Sequence, residues 1–244
     1  GRVYGSFGSS RQGRLKWLPT KIPCPVTVSF GEPMSNEVRP DEVRVAVENL
    51  AEGASRLRAD ELQPLHVAFV KRVRRAPWRH CLGDSQGKKL SRGASLAGAL
   101  VLARRLRPHW GDQKNVGIML PPSIGGALAA FAASMSGRTS VSLNYTVGSA
   151  AMKSAVSQAG LTSLVTSKAF LELLPKEMLE GLEGLEMILL EDVMQGVSAF
   201  ERVGCLLRAL LLPMAMLERS CGAKRRVTRD DIAAILFSSG STGE

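Results

Sequence analysis

Several residue types are scarce in this 244-residue chain, and each scarcity excludes a class of function. Aromatic residues make up 5% of the sequence, which disfavours the base-stacking surfaces of proteins that bind single-stranded nucleic acid. The four cysteines, Cys24, Cys81, Cys205 and Cys221, form no C-x-x-C pair, and histidine occurs only three times. We therefore expect reduced thiols, no disulfide framework and no metal site.

Long apolar runs are also missing, and no stretch of about 18 uncharged apolar residues is present to span a bilayer. The nearest case, Val203–Leu217, is interrupted by Arg208 and Pro213, so we predict a buried or interfacial helix there. The chain begins at GRVYGSFGSS without the layout of a signal peptide and stops at STGE. We interpret it as a fragment of a longer protein.

Positive charge is concentrated in the first part of the chain. Residues 1–110 hold 20 Lys and Arg against nine Asp and Glu, a net +11 within a total of +10. Such asymmetry indicates either a solvated basic face or an anionic partner. We favour the solvated face, place an anionic membrane surface second, and expect no nucleic-acid partner. The cluster that would meet the membrane surrounds Trp78 and consists of Lys71, Arg72, Arg74, Arg75 and Arg79.

The pattern of apolar residues predicts an α/β fold in which a small α+β tail precedes a larger parallel-sheet domain. In residues 1–58 it indicates a strand at Val26–Phe30 and a helix at Asp41–Arg58. A second helix is predicted to begin at Asp60-Glu61 and to end before Pro77. We place the boundary at 58/59, with residues 59–244 forming an incomplete parallel-sheet domain.

Strands and helices alternate through the second domain, which is the pattern of βαβ units in a mainly parallel sheet. Gly83–Lys89 is predicted as a turn between short strands, and Ser91 as the cap of a helix that reaches Arg107. The strands that we predict after this helix are Asn115–Leu120, Thr139–Leu143, Ser163–Thr166, Glu186–Leu190 and Ile232–Phe237. The helices are Ser123–Met135, Val147–Gln158, one from about Lys168, and Val197–Leu212.

The strongest chemical signal is the segment DDIAAILFSSGSTGE at residues 230–244, where an apolar strand leads into hydroxyl and glycine residues. Glycine lets backbone N–H groups converge, and Ser and Thr hydroxyls add donors, so such a loop suits a phosphate chain. A plain Ser/Gly turn is the alternative; the apolar strand and the acidic pair favour phosphate binding. The candidate nucleotide-binding residues are Ser238, Ser239, Gly240, Ser241, Thr242 and Gly243.

This segment resembles the phosphate-binding motif of adenylate-forming enzymes, the superfamily of acyl-CoA synthetases and luciferases. The stretches GIMLPPS (117–123) and LNYT (143–146) look closer to one branch, the bacterial acyl-acyl carrier protein synthetases fused to a lysophospholipid acyltransferase. Residues 17–33, WLPTKIPCPVTVSFGEP, resemble the last strand region of glycerophospholipid acyltransferases. The resemblance implies an acyltransferase tail at 1–58 and the first part of an AMP-binding domain at 59–244.

The resemblance further implies that the whole protein activates a fatty acid with ATP and Mg²⁺ as an acyl-adenylate. The acyl group would pass to acyl carrier protein or coenzyme A and then to a lysophospholipid, on the cytoplasmic side of a membrane. The alternatives are a stand-alone fatty acyl-CoA ligase and a truncated module without catalytic activity.

Departures from the family pattern limit what this chain does alone. The His-x-x-x-x-Asp pair of acyltransferases, in which His is the general base, is absent. We therefore interpret His66, His80 and His109 as surface or loop residues and assign no catalytic residue. The fragment itself is expected to be inactive.

Overall fold

The computed structural model describes residues 9–11, 14–16, 28–57, 62–84 and 87–237. The chain divides into two compact units, residues 1–62 and 63–244. No helix among the described residues is both long and apolar enough to cross a membrane.

The first unit holds a short antiparallel hairpin and one long helix. Strands β1 (Ser9–Arg11) and β2 (Arg14–Lys16) pair in the register Ser10↔Leu15. Helix α1 (Pro40–Leu57) confirms the predicted helix, and acidic residues in its first turn favour the helix dipole. The prediction of a strand at Val26–Phe30 is wrong for residues 28–30, the part of this range that the structure describes. Val28–Phe30 has no strand structure, and both Val28 and Phe30 are exposed, so no ladder stabilises extended backbone there.

The second unit begins with helix α2 (Leu65–Arg75), four residues later than the prediction placed its start. Pro64 is the N-cap, and the chain at Leu62–Pro64 is not helical. Proline lacks an N–H and is tolerated only at a helix start, which explains this limit. Strands β3 (His80–Gly83) and β4 (Lys89–Ser91) then pair as an antiparallel hairpin, which confirms the predicted turn.

Helix α3 (Arg92–Trp110) begins where the sequence predicts, because the Ser91 side chain accepts a hydrogen bond from the N–H of Ala94. The helix passes Arg107 and includes Pro108 before it ends at Gly111, whose φ is +45°. The predicted strands and helices follow in the predicted order, with three short helices in addition. They are β5 (Asn115–Ile118), α4 (Ile124–Met135), β6 (Thr139–Ser142), α5 (Ser149–Ala159), β7 (Ser163–Thr166), α6 (Lys168–Leu171), α7 (Lys176–Leu179), β8 (Glu186–Leu189), α8 (Leu190–Met194), α9 (Ala199–Leu211), α10 (Met214–Ser220) and β9 (Ala234–Leu236).

The five strands β5 to β9 form one parallel sheet in the order β8-β7-β5-β6-β9. Helices cover both faces of the sheet. One apolar cluster joins α2, α3, α4 and α9 to the sheet, and a second lies under α5 to α7. Strand β7, at Ser163–Thr166, is buried along its whole length, as expected for a parallel strand covered on both faces.

Close packing at the sheet centre depends on Gly117 in β5. A Cβ atom at this position would lie 2.8 Å from Leu164 Cδ1 and 2.9 Å from the Ser163 carbonyl oxygen. Any larger residue would therefore push β5 and β7 apart, which makes glycine a packing requirement here.

Candidate nucleotide site at the carboxyl edge of the sheet

A cavity of about 640 Å³ lies at the carboxyl ends of β5 and β6. In an open parallel sheet the loops that follow neighbouring strands meet at this edge, which is where such folds bind ligands. The volume lies within the usual range for a small-molecule site. The cavity is lined by Leu82, Gly83, Ile118, Leu120, Pro121, Pro122, Ser123, Ile124, Gly126, Ala127, Ala130, Ser140, Ser142, Leu143, Asn144 and Tyr145.

One wall of the cavity is the turn between β5 and α4. Two prolines, Pro121 and Pro122, fix the chain, and the Ser123 Oγ accepts a hydrogen bond from the N–H of Gly126 at 3.2 Å. This cap sets the direction in which α4 leaves the sheet. A second cavity of about 700 Å³ borders the same turn and reaches the β3–β4 hairpin at Lys88 and Lys89.

The opposite wall is the turn after β6. Asn144 Oδ1 accepts hydrogen bonds from the N–H and the hydroxyl of Thr146, at 3.0 and 2.8 Å. The Tyr145 ring meets the Phe170 ring edge to face, with centroids 4.9 Å apart. A side chain that bonds its own turn and an anchored aromatic ring hold the LNYT stretch in place.

Strand β9 ends at the same edge because it is fastened to β6. Thr139 Oγ1 donates to the Ile232 carbonyl oxygen at 2.9 Å, and Ser140 Oγ donates to that of Ala233 at 3.2 Å. The parallel register aligns Ser142 with Leu236. The carboxyl ends of β5, β6 and β9 therefore face one region, and β9 leads directly in sequence to Ser238.

The six candidate nucleotide-binding residues, Ser238 to Gly243, lie outside the described residues. Their role therefore stays a prediction. The structure describes the strand that precedes them and the cavity at the edge where that strand ends.

The acidic pair before β9 has a structural role that the sequence did not reveal. Asp231 binds the Arg225 guanidinium through both oxygens and also accepts from the N–H and the hydroxyl of Thr228. The Arg225 partner, followed by the Thr228 N–H, holds the pKa of Asp231 well below its usual range. Asp230 lies 3.6 Å from Arg229. Both carboxylates stand at the amino end of β9, away from the carboxyl edge.

A third cavity, of about 610 Å³, opens at the amino ends of the strands. Its side chains include the buried Arg138, whose guanidinium lies 5.5 Å from the Trp110 ring centre. Burial, followed by the charge of Arg107, lowers the pKa of Arg138. Asp112 pairs with Lys224 at 2.8 Å in the same cavity. This third cavity therefore lies at the opposite edge of the sheet from the candidate nucleotide site.

The interpretation of His66 as a surface or loop residue is wrong. His66 is fully buried, and its ring nitrogens lie 2.9 Å from Ser134 Oγ and 2.8 Å from Glu218 Oε1. His80 is exposed in β3, and His109 is a partly exposed helix residue beside Glu186. The sequence around a lone histidine does not reveal its partners, because Ser134 and Glu218 lie far from His66 along the chain.

The basic cluster occupies the end of α2 and the following turn. Lys71, Arg72, Arg75 and Arg79 are exposed, as is Trp78. Arg74 differs, because its guanidinium donates to the carbonyl oxygens of Ala209 and Leu212. One member of the cluster therefore fastens α2 to the end of α9.

The segment Val203–Leu217, predicted as one buried or interfacial helix, is divided between two helices. Helix α9 ends at Leu211, and α10 begins after Pro213. Cys205 and Ala209 are buried, while Val203, Leu207 and Leu211 are exposed.

Within the described ranges, no group of three or more His, Cys, Asp or Glu is arranged to hold a metal ion.

Comparison with known structures shows a similar fold in three proteins. VinN matches with a TM-score of 0.54 and 15% identity, over 73% of this chain and 43% of VinN. The Klebsiella oxytoca NpsA N-terminal subdomain bound to 3-hydroxybenzoyl-AMSN matches with a TM-score of 0.54 and 18% identity, over 75% and 39%. O-succinylbenzoate coenzyme A synthetase (MenE) from Bacillus subtilis, in complex with AMP, gives 0.51 and 17%, over 74% and 40%.

This chain thus spans less than half the length of these similar structures. The family model of AMP-binding enzymes matches residues 69–244, which is most of the chain. The match covers the parallel sheet, the cavity at its carboxyl edge and the glycine-rich segment. The chain therefore belongs to the AMP-binding enzyme family.

Proposed function

We propose that this chain is part of an enzyme that activates a fatty acid with ATP as an acyl-adenylate. The observation that carries the proposal is the cavity at the carboxyl ends of β5 and β6, beside the end of β9. Adenylate formation joins the acid to AMP and releases pyrophosphate, so a phosphate-binding loop must adjoin an acid-binding cavity. In sequence, Ser238–Gly243 follows β9 at that edge.

In this proposal the glycine-rich segment binds the ATP phosphates. Backbone N–H groups and the hydroxyls of Ser238, Ser239, Ser241 and Thr242 would stabilise charge that develops on the phosphates during adenylate transfer. Mg²⁺ accompanies ATP and neutralises part of that charge. No magnesium ligand is assigned among the described residues.

The lining of the cavity favours an acid with an alkyl chain. Ile118, Leu120 and Leu143 contribute apolar surface, and none of the described residues that line this cavity is a lysine or an arginine. An apolar lining binds hydrocarbon by removing it from water, at about 25 cal/mol per Å². A polar amino acid would gain less from such a surface.

The finer proposal concerns the reactions that follow activation. The acyl group passes to acyl carrier protein or coenzyme A, and a linked acyltransferase, whose tail is residues 1–58, moves it to a lysophospholipid. Residues 59–244 are the first part of the adenylating domain. Lysophospholipids reside in membranes, so we place the protein at the cytoplasmic face, with Lys71, Arg72, Arg74, Arg75 and Arg79 near anionic headgroups.

Sequencing the reading frame beyond both ends of this chain is the first test. The proposal expects Pro-Lys-Gly after Glu244 and a His-x-x-x-x-Asp pair before Gly1. A frame with the first feature and without the second would leave a fatty acyl ligase and overturn the acyltransferase. A natural start and stop around residues 1–244 would overturn catalysis.

The second test is ATP–pyrophosphate exchange by the product of the full frame. A long-chain fatty acid should support exchange, whereas aspartate and an aryl acid should not. Thr242→Ala should lower the exchange rate about 100-fold if its hydroxyl stabilises the phosphates. Ser157→Ala, on the exposed side of α5, is the matched control and should leave the rate unchanged. Exchange with aspartate alone would contradict the fatty-acid assignment.

A further inference from the structure

Helix α9 is apolar on two opposite faces. Cys205 and Ala209 are buried toward α3, as expected for a helix of the outer layer. The second apolar face is in solvent, and its four residues recur at three- and four-residue spacing, which places them in one stripe. The stripe, which we call the α9 stripe, consists of Phe200, Val203, Leu207 and Leu211, which are 89%, 54%, 51% and 78% exposed.

The α9 stripe is about 16 Å long, from the helical rise per residue. Single exposed apolar residues need no explanation, but a continuous stripe of this size marks an interaction surface. A surface helix usually has one apolar face toward the core, because its other face is polar and contacts water. The exposed stripe therefore needs a partner that takes up hydrocarbon.

The end of α2, which carries the basic residues, contacts the end of α9. Arg74 at the end of α2 donates to the carbonyl oxygens of Ala209 and Leu212, so the two helix ends meet. A Cβ at Gly93 would lie 3.3 Å from Pro77 Cβ and 3.6 Å from Leu206 Cδ1. The turn that carries Trp78 thus lies beside α9, and Trp78 is 76% exposed.

Among the described residues of α2, α9 and α10, each carboxylate is either paired with a cation or buried. Helix α2 contains no Asp or Glu. On α9, the Glu201 carboxylate accepts hydrogen bonds from Nε and Nη2 of Arg105, and this pairing lowers the pKa of the carboxyl group. On α10, Glu218 is buried against His66. Among the described residues, no carboxylate lies within ion-pair distance of Arg72 or Arg75.

We propose that the α9 stripe, Trp78 and the basic residues of α2 form a docking surface for an anionic lipid bilayer. The stripe enters the interface lengthwise, Trp78 lies at headgroup level, and Arg72 and Arg75 meet lipid phosphates. A protein partner would need an apolar surface for the α9 stripe and, beside it, carboxylates for Arg72 and Arg75. An anionic bilayer always presents hydrocarbon beneath negatively charged headgroups. This inference deepens the membrane location proposed above and is independent of the adenylation chemistry.

Vesicle cosedimentation of the purified chain tests the surface. The chain should bind vesicles that contain phosphatidylserine, bind vesicles of phosphatidylcholine alone more weakly, and lose binding as salt is raised. Arg72→Gln with Arg75→Gln should weaken binding about thirtyfold, since each basic residue near the surface contributes about 1 kcal/mol. Phe200→Ser with Leu211→Ser should weaken it at least about tenfold.

Matched variants separate the surface from general charge and hydrophobicity. Lys114→Gln with Arg226→Gln removes two exposed cations at the amino ends of the strands, and Leu173→Ser removes a leucine that is 81% exposed on another side of the domain. Both controls should bind vesicles as the parent chain does. Equal losses in the controls, equal binding to both vesicle types, or no binding at all would overturn the proposal. Dimerisation that Phe200→Ser abolishes, without vesicle binding, would assign the stripe to a second copy and overturn it as well. Vesicle binding is measured independently of adenylate formation. A chain that does not bind vesicles would therefore leave the expected result of the ATP–pyrophosphate exchange assay unchanged.

Discussion

His66 Nε2 lies 2.8 Å from Glu218 Oε1, although 152 residues separate the two in sequence. Both side chains are buried, and the other ring nitrogen of His66 meets Ser134 Oγ at 2.9 Å. The three residues join α2, α4 and α10 through one polar connection inside an apolar cluster. Buried polar groups are costly unless they are paired, so this connection favours one arrangement of the three helices.

His66→Ala should destabilise the second unit by about 3 kcal/mol. The substitution removes the partner of a buried carboxyl group, and Glu218 Oε2 already has no hydrogen-bond partner among the described residues. Denaturant unfolding measures the change. His80→Ala is the control, because His80 is exposed and its loss should alter stability by no more than about 0.5 kcal/mol. Equal effects from the two variants would contradict a structural role for the buried connection.

Gly117→Ala should destabilise the sheet by about 1–3 kcal/mol, because the added methyl group would overlap Leu164 and the Ser163 carbonyl oxygen. The same substitution at Gly204 should have the opposite sign. Gly204 lies within α9 and an added Cβ meets nothing within 4 Å, so alanine there should stabilise the helix by about 0.5–1 kcal/mol. Thermal unfolding of both variants checks the pair; a stable Gly117→Ala protein would show that β5 and β7 separate without cost.

The cysteines should differ sharply in reactivity. Burial raises the pKa of the Cys221 thiol to about 12, so at neutral or mildly alkaline pH it holds almost no thiolate in the folded state. Cys205 is also buried, whereas Cys81 is exposed. Iodoacetamide should therefore modify Cys81 in the native protein and reach Cys205 and Cys221 only after unfolding. Peptide mass mapping gives the answer, and fast native labelling of Cys221 would contradict its burial.

Asp231 should stabilise the approach to β9 in a pH-dependent way. Its pKa is lowered in the folded state, so its contribution is complete above the ordinary pKa of an aspartate and is lost as pH falls through the folded value. Asp231→Asn should therefore lower the unfolding temperature at neutral pH, and the difference from the parent should shrink in strong acid. Asp230→Asn is the neighbouring control, since Asp230 is exposed and makes only a 3.6 Å contact with Arg229. A difference that persists unchanged in acid would show that the charge of Asp231 is not its source.

Local patterns predicted most of the second unit. Ser91 and Ser123 each precede an apolar helix and cap it, so the starts of α3 and α4 could be predicted from a few residues. The strands from β5 to β9 were predicted to within about two residues at each end, which is usual for boundaries. Short strands that alternate with helices have few alternatives to a parallel sheet.

Features that depend on distant contacts could not be predicted in the same way. The burial of His66 requires Ser134 and Glu218, and neither is near it in sequence. In sequence the acidic pair before β9 favours phosphate binding, yet in the structure Asp231 binds Thr228 and Arg225 of its own loop. Such pairings are decided by how the elements pack, which no local pattern records.

The order of strands in the sheet also sets the order in which the described part of the protein is able to fold. Thr139 and Ser140 of β6 bond residues 93 positions later, just before β9. During synthesis, β6 therefore has one unpaired edge until nearly the whole described chain has emerged. The entropic cost of closing this long loop arises before the stabilising contacts with β9 form. Until β9 arrives, the edge of β6 is open to pairing with other chains, which favours aggregation of the nascent protein.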